Sequence, residues 1–197
     1  MADPSYISGG VLTDGEAWVG IATTTLGSAT SSVTFTSPND GSSLDWCQFM
    51  DLVVIAYVAT DHSASDLLKC HLNGDTTNAN YPYQYLWGDA GSGEIEGSNA
   101  TTSSRGIESR FCSAATNIFT AIVYNFLDMN SGKYKTTLVR TSSNLDAAIQ
   151  SSISCITTSA WLSNAAINSI AFTPNAGSNI AAGSMFSLFG VLPRMVS

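Results

Sequence analysis

Charged side chains are scarce in this 197-residue sequence, and basic ones are the scarcest. Asp, Glu, Lys and Arg make up 11% of the chain, with 7 Lys and Arg against 15 Asp and Glu, so the formal net charge is −8 at pH 7. An ordinary globular protein has roughly 25% charged residues. Because an acidic chain is repelled by phosphate backbones, the composition excludes a nucleic-acid-binding protein. It also excludes a coiled coil, which needs many more charged residues.

Long apolar runs are missing as well. No run reaches the ~18–20 residues of a membrane span, so we expect no membrane contact. The first residues lack a basic segment followed by an apolar one, so we expect no signal peptide and synthesis in a cytosol. The four cysteines include no C-x-x-C pair, which excludes a zinc knuckle. Three disulfide connectivities are possible, but in a reducing compartment we expect free thiols, with Cys70 and Cys155 buried.

Motifs for catalysis and cofactor binding are absent too. The sequence has no G-x-S-x-G nucleophile motif and no phosphate-binding loop, and the glycines of residues 91–97 have the wrong spacing for a dinucleotide fingerprint. We interpret Asp89, Glu94 and Glu96 as acids of a solvated loop, since glycosidase carboxylates need rigid placement. Residues 128–132 begin like a calcium loop but lack its final Glu, which predicts a hairpin turn. We therefore expect neither an enzyme nor a cofactor.

Residue types that favour β-strands dominate what is present. Ser and Thr are roughly a quarter of the chain, well above average usage, and they accompany Val, Ile, Phe and Tyr in short segments separated by Gly, Asn, Asp and Pro. This pattern predicts a single all-β domain, a sandwich or a barrel. The predicted strands span residues 17–25, 32–36, 49–60, 67–73, 107–111, 117–127, 133–141, 149–158, 167–173 and 184–192.

Domain organisation follows from the same pattern. Residues 1–14 are predicted to form an N-terminal arm, and residues 15–197 the β-domain. Residues 75–105, rich in Gly, Asn and Ser, are predicted to form a long loop excursion. In the strand before it, Leu68, Cys70 and Leu72 alternate with polar residues, which predicts that these three side chains face the core.

Three predicted strands are apolar on both faces, at residues 52–59, 118–124 and 185–189. An antiparallel sheet with one solvated face should instead alternate apolar and polar residues. The second face therefore needs cover, either from loops of the same chain or from a neighbouring subunit. The candidate interface residues on these strands are Leu52, Val54, Tyr57, Phe186 and Phe189.

An aromatic stripe lies inside the predicted excursion. Tyr81, Tyr83, Tyr85 and Trp87 alternate along the chain, so an extended segment would place all four on one face. Exposed, such a stripe would stack against sugars or a protein partner; buried, it would belong to the core or to a subunit interface. These four residues complete the candidate interface.

Both ends of the sequence carry a family pattern. The N-terminal part reads WVGIATTTLGS at 18–28 and SVTFT at 32–36, and LNGD follows at 72–75. The C-terminal part reads INSIAF at 167–172 and NIAAGSMFSLFGV at 179–191. This pattern resembles jelly-roll virion proteins of tailed bacteriophages, which serve as capsid decoration (cement) proteins or as fibre and tail-tip domains. Residues 75–105 are longer and more aromatic than the family pattern, and the third strand lacks an expected Arg.

The resemblance implies an antiparallel jelly-roll β-sandwich and a virion surface protein that is usually a homotrimer. Its leading implication is a capsid decoration protein that binds the major capsid protein on the outer shell after synthesis in the host cytoplasm. The alternative is a receptor- or glycan-binding tip of a tail fibre. The short stretch before the first predicted strand favours the decoration protein, because a fibre usually has an N-terminal shaft.

Overall fold

The fold is all-β. A computed structural model describes residues 7–8, 11–12, 18–62, 66–89, 95–100, 106–112, 118–144 and 152–192, and it has no α-helix within these ranges. The strands are β1 (Ile7–Ser8), β2 (Val11–Leu12), β3 (Trp18–Thr25), β4 (Val33–Thr36), β5 (Asp51–Val58), β6 (Asp66–Leu72), β7 (Tyr83–Asp89), β8 (Ile95–Ala100), β9 (Ile107–Cys112), β10 (Thr120–Leu127), β11 (Lys135–Asn144), β12 (Ser152–Trp161), β13 (Ser169–Pro174) and β14 (Met185–Val191).

Two antiparallel sheets form a sandwich. The larger has eight strands in the order β3-β14-β5-β10-β11-β12-β7-β8, and the smaller has four in the order β4-β13-β6-β9. Consecutive strands β3 and β4, β5 and β6, β9 and β10, and β13 and β14 lie in opposite sheets, so the chain crosses repeatedly from one sheet to the other. This arrangement of β3-β14-β5-β10 over β4-β13-β6-β9 is the double Greek key of a jelly roll. The predicted fold class is confirmed.

The other four strands of the large sheet are insertions into the jelly roll. Strands β7 and β8 lie between β6 and β9 in sequence, and β11 and β12 lie between β10 and β13. In space they add β11-β12-β7-β8 to the β10 edge of the sheet, and we call these four strands the extension. The predicted loop excursion at 75–105 was therefore wrong over residues 83–89 and 95–100, which are strands paired with each other.

The core lies between the two sheets and is rich in aromatic rings. Phe172 of β13 lies 5.1 Å from Tyr124 of β10 and 5.3 Å from Phe186 of β14, measured between ring centroids. The three side chains predicted to face the core, Leu68, Cys70 and Leu72, are fully buried. Their strand β6 pairs with β13 and β9, which places the alternating apolar residues against the large sheet.

Tight turns with left-handed residues connect the strands. Asn73 (φ 52°) and Gly74 (φ 69°) turn the chain after β6. The side-chain oxygen of Asn73 accepts hydrogen bonds from the backbone N–H groups of Asn168 and Ser169 at 2.8 and 3.0 Å. Residues 128–134 join β10 to the paired strand β11, which confirms the predicted hairpin turn. The predicted arm at 1–14 includes the short β1–β2 ladder; its other residues lie outside the described ones.

Candidate interaction surface

The outer face of the large sheet, turned away from the small sheet, exposes apolar side chains. Tyr57 of β5 is 48% exposed and lies directly opposite Met185 of β14, which is 41% exposed. The Tyr57 ring stacks on Phe119 with a centroid distance of 5.0 Å. Two residues along β5 from Tyr57, Ile55 is 41% exposed on the same face. We call these four residues the Tyr57 patch.

The apolar surface continues towards both ends of the sheet. At the β3 edge, the rings of Trp18 and Phe189 lie 5.9 Å apart. In the extension, Ile156 and Leu86 are direct cross-strand neighbours and are about half exposed. Leu127 is also exposed at the end of β10. An apolar face of this extent is typical of an interaction surface.

Charge is almost absent from the outer face. Among the outward side chains that the structure describes on these eight strands, Asp51 and Arg140 are the only charged ones. Asp51 lies at the end of β5, where its carboxylate accepts a hydrogen bond from the backbone N–H of Asp128 at 2.6 Å. Arg140 lies in the middle of β11. An interface core is depleted of charge in the same way.

Seven of the nine candidate interface residues do not lie on this surface, and four of the seven are buried in the interior, which corrects the sequence-based prediction. Leu52, Val54 and Phe186 are fully buried between the sheets. Their strands have both faces apolar, but alternate side chains point to opposite faces. Tyr81 is also fully buried: its hydroxyl donates to the Asp75 carbonyl at 2.8 Å and accepts from the Leu72 N–H at 3.2 Å.

The remaining three candidates line the inner face of the extension. Tyr83 and Tyr85 stack nearly in parallel, with ring centroids 6.0 Å apart, and Trp87 follows on the same face of β7. The guanidinium of Arg110 lies 4.2 Å from the centre of the Tyr85 ring, in a cation–π contact. Arg110 also pairs with the fully buried Glu108 at 3.4 Å. The predicted alternation of Tyr83, Tyr85 and Trp87 is present, whereas Tyr81 lies before the strand.

A hollow opens beside Tyr83. Its volume is about 370 Å³, and its lining includes hydroxyl-bearing residues of β11 and β12. The lining residues are Pro82, Tyr83, Gln84, Thr136, Thr158, Ser159 and Ala160. The Thr136 and Thr158 side chains lie on the outer face of the sheet, whereas the Tyr83 ring lies on the inner face, so the hollow and the tyrosine stack are separate features.

The carboxylates of Asp75 and Asp66, which lie just after and at the start of β6, act as structural hydrogen-bond acceptors. Asp75 accepts hydrogen bonds from Trp161 Nε1 and Asn80 Nδ2, each at 2.8 Å. Partial burial alone would raise the pKa of Asp75, but these bonds and one from Thr77 outweigh it and lower the pKa to about 2. Asp66 accepts hydrogen bonds from the Ala176 N–H and the Ser178 hydroxyl in the same manner.

The described residues include neither a metal-ligand cluster nor a membrane-spanning helix. They contain no cluster of three or more His, Cys, Asp and Glu that could hold a metal ion. Nor do they contain a helix with the length and apolarity needed to cross a bilayer.

Burial lowers the pKa of His71, and nearby Lys69 lowers it further. The acids Asp89, Glu94 and Glu96, considered above, have no described side-chain positions.

All four thiols are free, with Cys47 exposed and the other three buried. This placement confirms the prediction that Cys70 and Cys155 are buried. Burial raises the pKa of each buried thiol, that of Cys112 to about 12. These three side chains therefore stay protonated and pack as small apolar groups.

Comparison with known proteins adds no family assignment. Neither a protein-family model nor a curated protein matches this sequence. The fold and the surfaces described above are therefore the basis for a functional proposal.

Proposed function

We propose that this chain is a structural virion protein, a capsid decoration protein that binds the outer shell and stabilises contacts between major capsid subunits. The observation that carries the proposal is the jelly-roll topology with an exposed, nearly uncharged outer sheet face. Jelly rolls are common in viral capsid proteins and lectins, which act through their surfaces. The sequence resemblance to phage virion proteins points in the same direction.

Binding rather than catalysis is the proposed activity. The protein would be made in the host cytoplasm and would attach to the virion surface without a cofactor, nucleic acid or membrane. A ligand that binds only the assembled shell stabilises it by mass action. If several copies act together as a homotrimer, modest contacts to neighbouring shell subunits would combine through multivalency.

The Tyr57 patch is the proposed contact between copies in that homotrimer. Its exposed Tyr57 and Met185 lie on the jelly-roll part of the outer face. Tyr57→Asp should reduce self-association, because a subunit contact would then bury an unpaired charge. The control is Tyr134→Asp, since Tyr134 is 65% exposed in the turn between β10 and β11. A wild-type monomer in light scattering would contradict this contact.

Particles with and without the protein test the proposed function. Particles that lack it should assemble and then lose heat or osmotic resistance, which added wild-type protein should restore. Particles that keep full stability without it would contradict a decoration role.

A receptor- or glycan-binding tip is the second candidate, favoured by the Tyr83–Tyr85 stack, since partly exposed aromatic rings can pack against a sugar. In this case particles without the protein would keep their stability and lose adsorption to host cells. Tyr83→Ser should then remove binding to host-cell polysaccharide, while Tyr134→Ser should not.

A further inference from the structure

Among the side chains that are described on the outward face of the extension, Arg140 is the one cation, and its cross-strand neighbours are apolar. Arg140 of β11 pairs in register with Val123 of β10 on one side and with Ile156 of β12 on the other. Ile156 in turn pairs with Leu86 of β7. We call Val123, Arg140, Ile156 and Leu86 the Arg140 row. Arg140, Ile156 and Leu86 are all exposed, at 50% for Ile156 and 54% for Leu86.

A hollow follows the same row. It measures about 340 Å³, at the lower end of the range for ligand sites, and Leu86, Ile156 and Arg140 contribute to its lining together with Gly88 and Ser154. Since Gly88 and Ser154 are small, the hollow leaves room for an apolar side chain beside Leu86 and Ile156. The row therefore combines an apolar recess with a guanidinium at its side.

Arg140 is available for a partner. Among the described residues, it forms no ion pair and no side-chain hydrogen bond. The chain as a whole has a net charge of −8, but no acidic side chain is described on the outward face of β11, β12 or β7. An exposed arginine within an apolar surface is typical of an interface hot spot, where its planar fork can hold a carboxylate through two hydrogen bonds.

The spacing of the row defines the chemistry of the partner. Arg140 and Ile156 are one strand step apart, about 5 Å at the usual strand separation, and the hollow lies beside Ile156. Alternate side chains of an extended chain share a face and lie roughly 7 Å apart, a distance that the long Arg140 side chain can match. A matching segment therefore carries a carboxylate and a large apolar side chain on alternate residues, and Arg140 would repel a basic side chain in place of the carboxylate.

We propose that the Arg140 row binds an extended acidic–apolar segment of the major capsid subunit, with its carboxylate on Arg140 and its apolar side chain in the hollow. The identity of this partner rests on the proposed function, whereas the chemistry of the row does not. The extension thereby receives a role separate from that of the Tyr57 patch, which lies on the jelly-roll part of the same face.

Short synthetic peptides test the chemistry directly. One peptide carries Glu and Leu on alternate residues, i and i+2, so that both face the row when the peptide is extended; a second replaces Glu with Lys, and a third replaces Leu with Ser. Isothermal titration calorimetry with the full chain should detect binding of the Glu–Leu peptide, weakened by salt, and at least about tenfold weaker binding of the other two. Equal affinity for all three, or no binding of the Glu–Leu peptide, would overturn the proposal.

Variants of the chain identify the residues. Arg140→Glu should lower the affinity for the Glu–Leu peptide by at least about tenfold. Arg140→Lys should lower it less, because Lys keeps the positive charge but cannot form the two parallel hydrogen bonds of a guanidinium. Ile156→Ser should also lower the affinity for this peptide, while the dependence of the affinity on salt concentration stays that of the wild type. Lys133→Glu is the matched control, since Lys133 is exposed in the β10–β11 turn, and it should bind as the wild type does. Equal loss in the control would overturn the assignment.

Particles that lack the protein separate this inference from the proposed function. If wild-type protein restores particle stability and Arg140→Glu does not attach, both proposals are supported. If Arg140→Glu attaches and protects as the wild type does, the row is not the shell contact, although the decoration role stands. If Arg140→Glu instead abolishes self-association in light scattering, a second copy occupies the row and the inference is wrong.

Discussion

The two parts of the large sheet differ in the side chains that they turn inward. In the jelly-roll strands these are large and apolar, as Leu52, Tyr124 and Phe186 show. In the extension many are small and polar: Thr137, Thr141, Ser143, Thr157 and Ser159 are all buried on β11 and β12. Burying a large apolar side chain contributes about 1.5–3 kcal/mol, whereas a typical hydrogen bond contributes about 0.5–1.5 kcal/mol.

The two parts of this one sheet are therefore stabilised in different ways. The jelly-roll strands are held by apolar burial against the small sheet. The extension relies on its long ladders, such as the pairing of β11 with β12 from Lys135 to Asn144, and on hydroxyl contacts such as Thr120 with Ser143 at 2.8 Å. Strand β9 contributes the Glu108–Arg110 pair beneath Tyr85. We therefore expect the jelly-roll part to dominate the free energy of unfolding.

Truncation of one inward side chain in each part gives the largest expected contrast. Phe186→Ala in β14 of the jelly-roll part removes the buried ring that contacts Phe172, so it should lower the free energy of unfolding by about 3–5 kcal/mol. Thr157→Ala in the extension should cost only about 1 kcal/mol, since it removes one hydroxyl and one methyl group. Urea denaturation measures both. Equal losses would show that the extension contributes as much as the jelly roll does.

Two glycines allow the tightness of packing to be compared between the jelly-roll part and the extension. A Cβ at Gly190 of β14 would lie 2.3 Å from the buried ring of Phe49, so Gly190→Ala should cost about 1–3 kcal/mol or more. A Cβ at Gly97 of β8 would meet its nearest atom, the Tyr85 carbonyl oxygen, at an ordinary 3.5 Å. Gly97→Ala should therefore leave the melting temperature nearly unchanged. A large loss at Gly97 would reveal tight packing in the extension.

The same division explains what the sequence could predict. The jelly-roll strands were predicted within a few residues, because apolar alternation and turn residues mark them, as in Leu68, Cys70 and Leu72 followed by Asn73. Strand β8 was missed because the sequence Ile-Glu-Gly-Ser-Asn-Ala has no apolar alternation and includes a glycine. Its strand pairing depends on β7, which pairs with the distant β12, and local patterns do not report such a contact.

The candidate surface was only partly predictable for a related reason. Leu52 and Val54 share one face of β5 and Tyr57 lies on the other, so these three residues could not belong to one interface. The sequence alone shows this alternation. It does not show which of the two faces of β5 packs against the small sheet, because both faces have similar hydrophobicity. The sequence also could not predict that Arg140 lies between apolar neighbours, because this depends on the register in which β11 pairs with β10 and β12.

Acid pH should act at the junction of the two parts. Asp75 follows β6 of the jelly roll and accepts a hydrogen bond from Trp161 at the end of β12. Its pKa is about 2 in the folded protein, below the ordinary value of 3.8, so its stabilising contribution is complete above about pH 4 and is lost as pH falls towards 2. Asp75→Asn should reduce stability at neutral pH and flatten the acid decline. Chemical denaturation between pH 2 and pH 6, roughly the range of carboxyl titration, measures both, with Asp128→Asn in the exposed β10–β11 turn as the control.

The smallest expected difference between the two parts is in how readily each opens locally, and thiol labelling should detect it. Cys70 lies in the jelly-roll core and Cys155 on the inner face of the extension, and both are buried with raised pKa values. In a Cys47→Ser background, which removes the exposed thiol, Cys155 should react before Cys70, because opening the extension disrupts fewer apolar contacts. Mass spectrometry of the labelled native protein gives both rates. If Cys70 reacts first or at the same rate, the two parts open as one cooperative unit, and the difference in their inward side chains does not produce a difference in local stability.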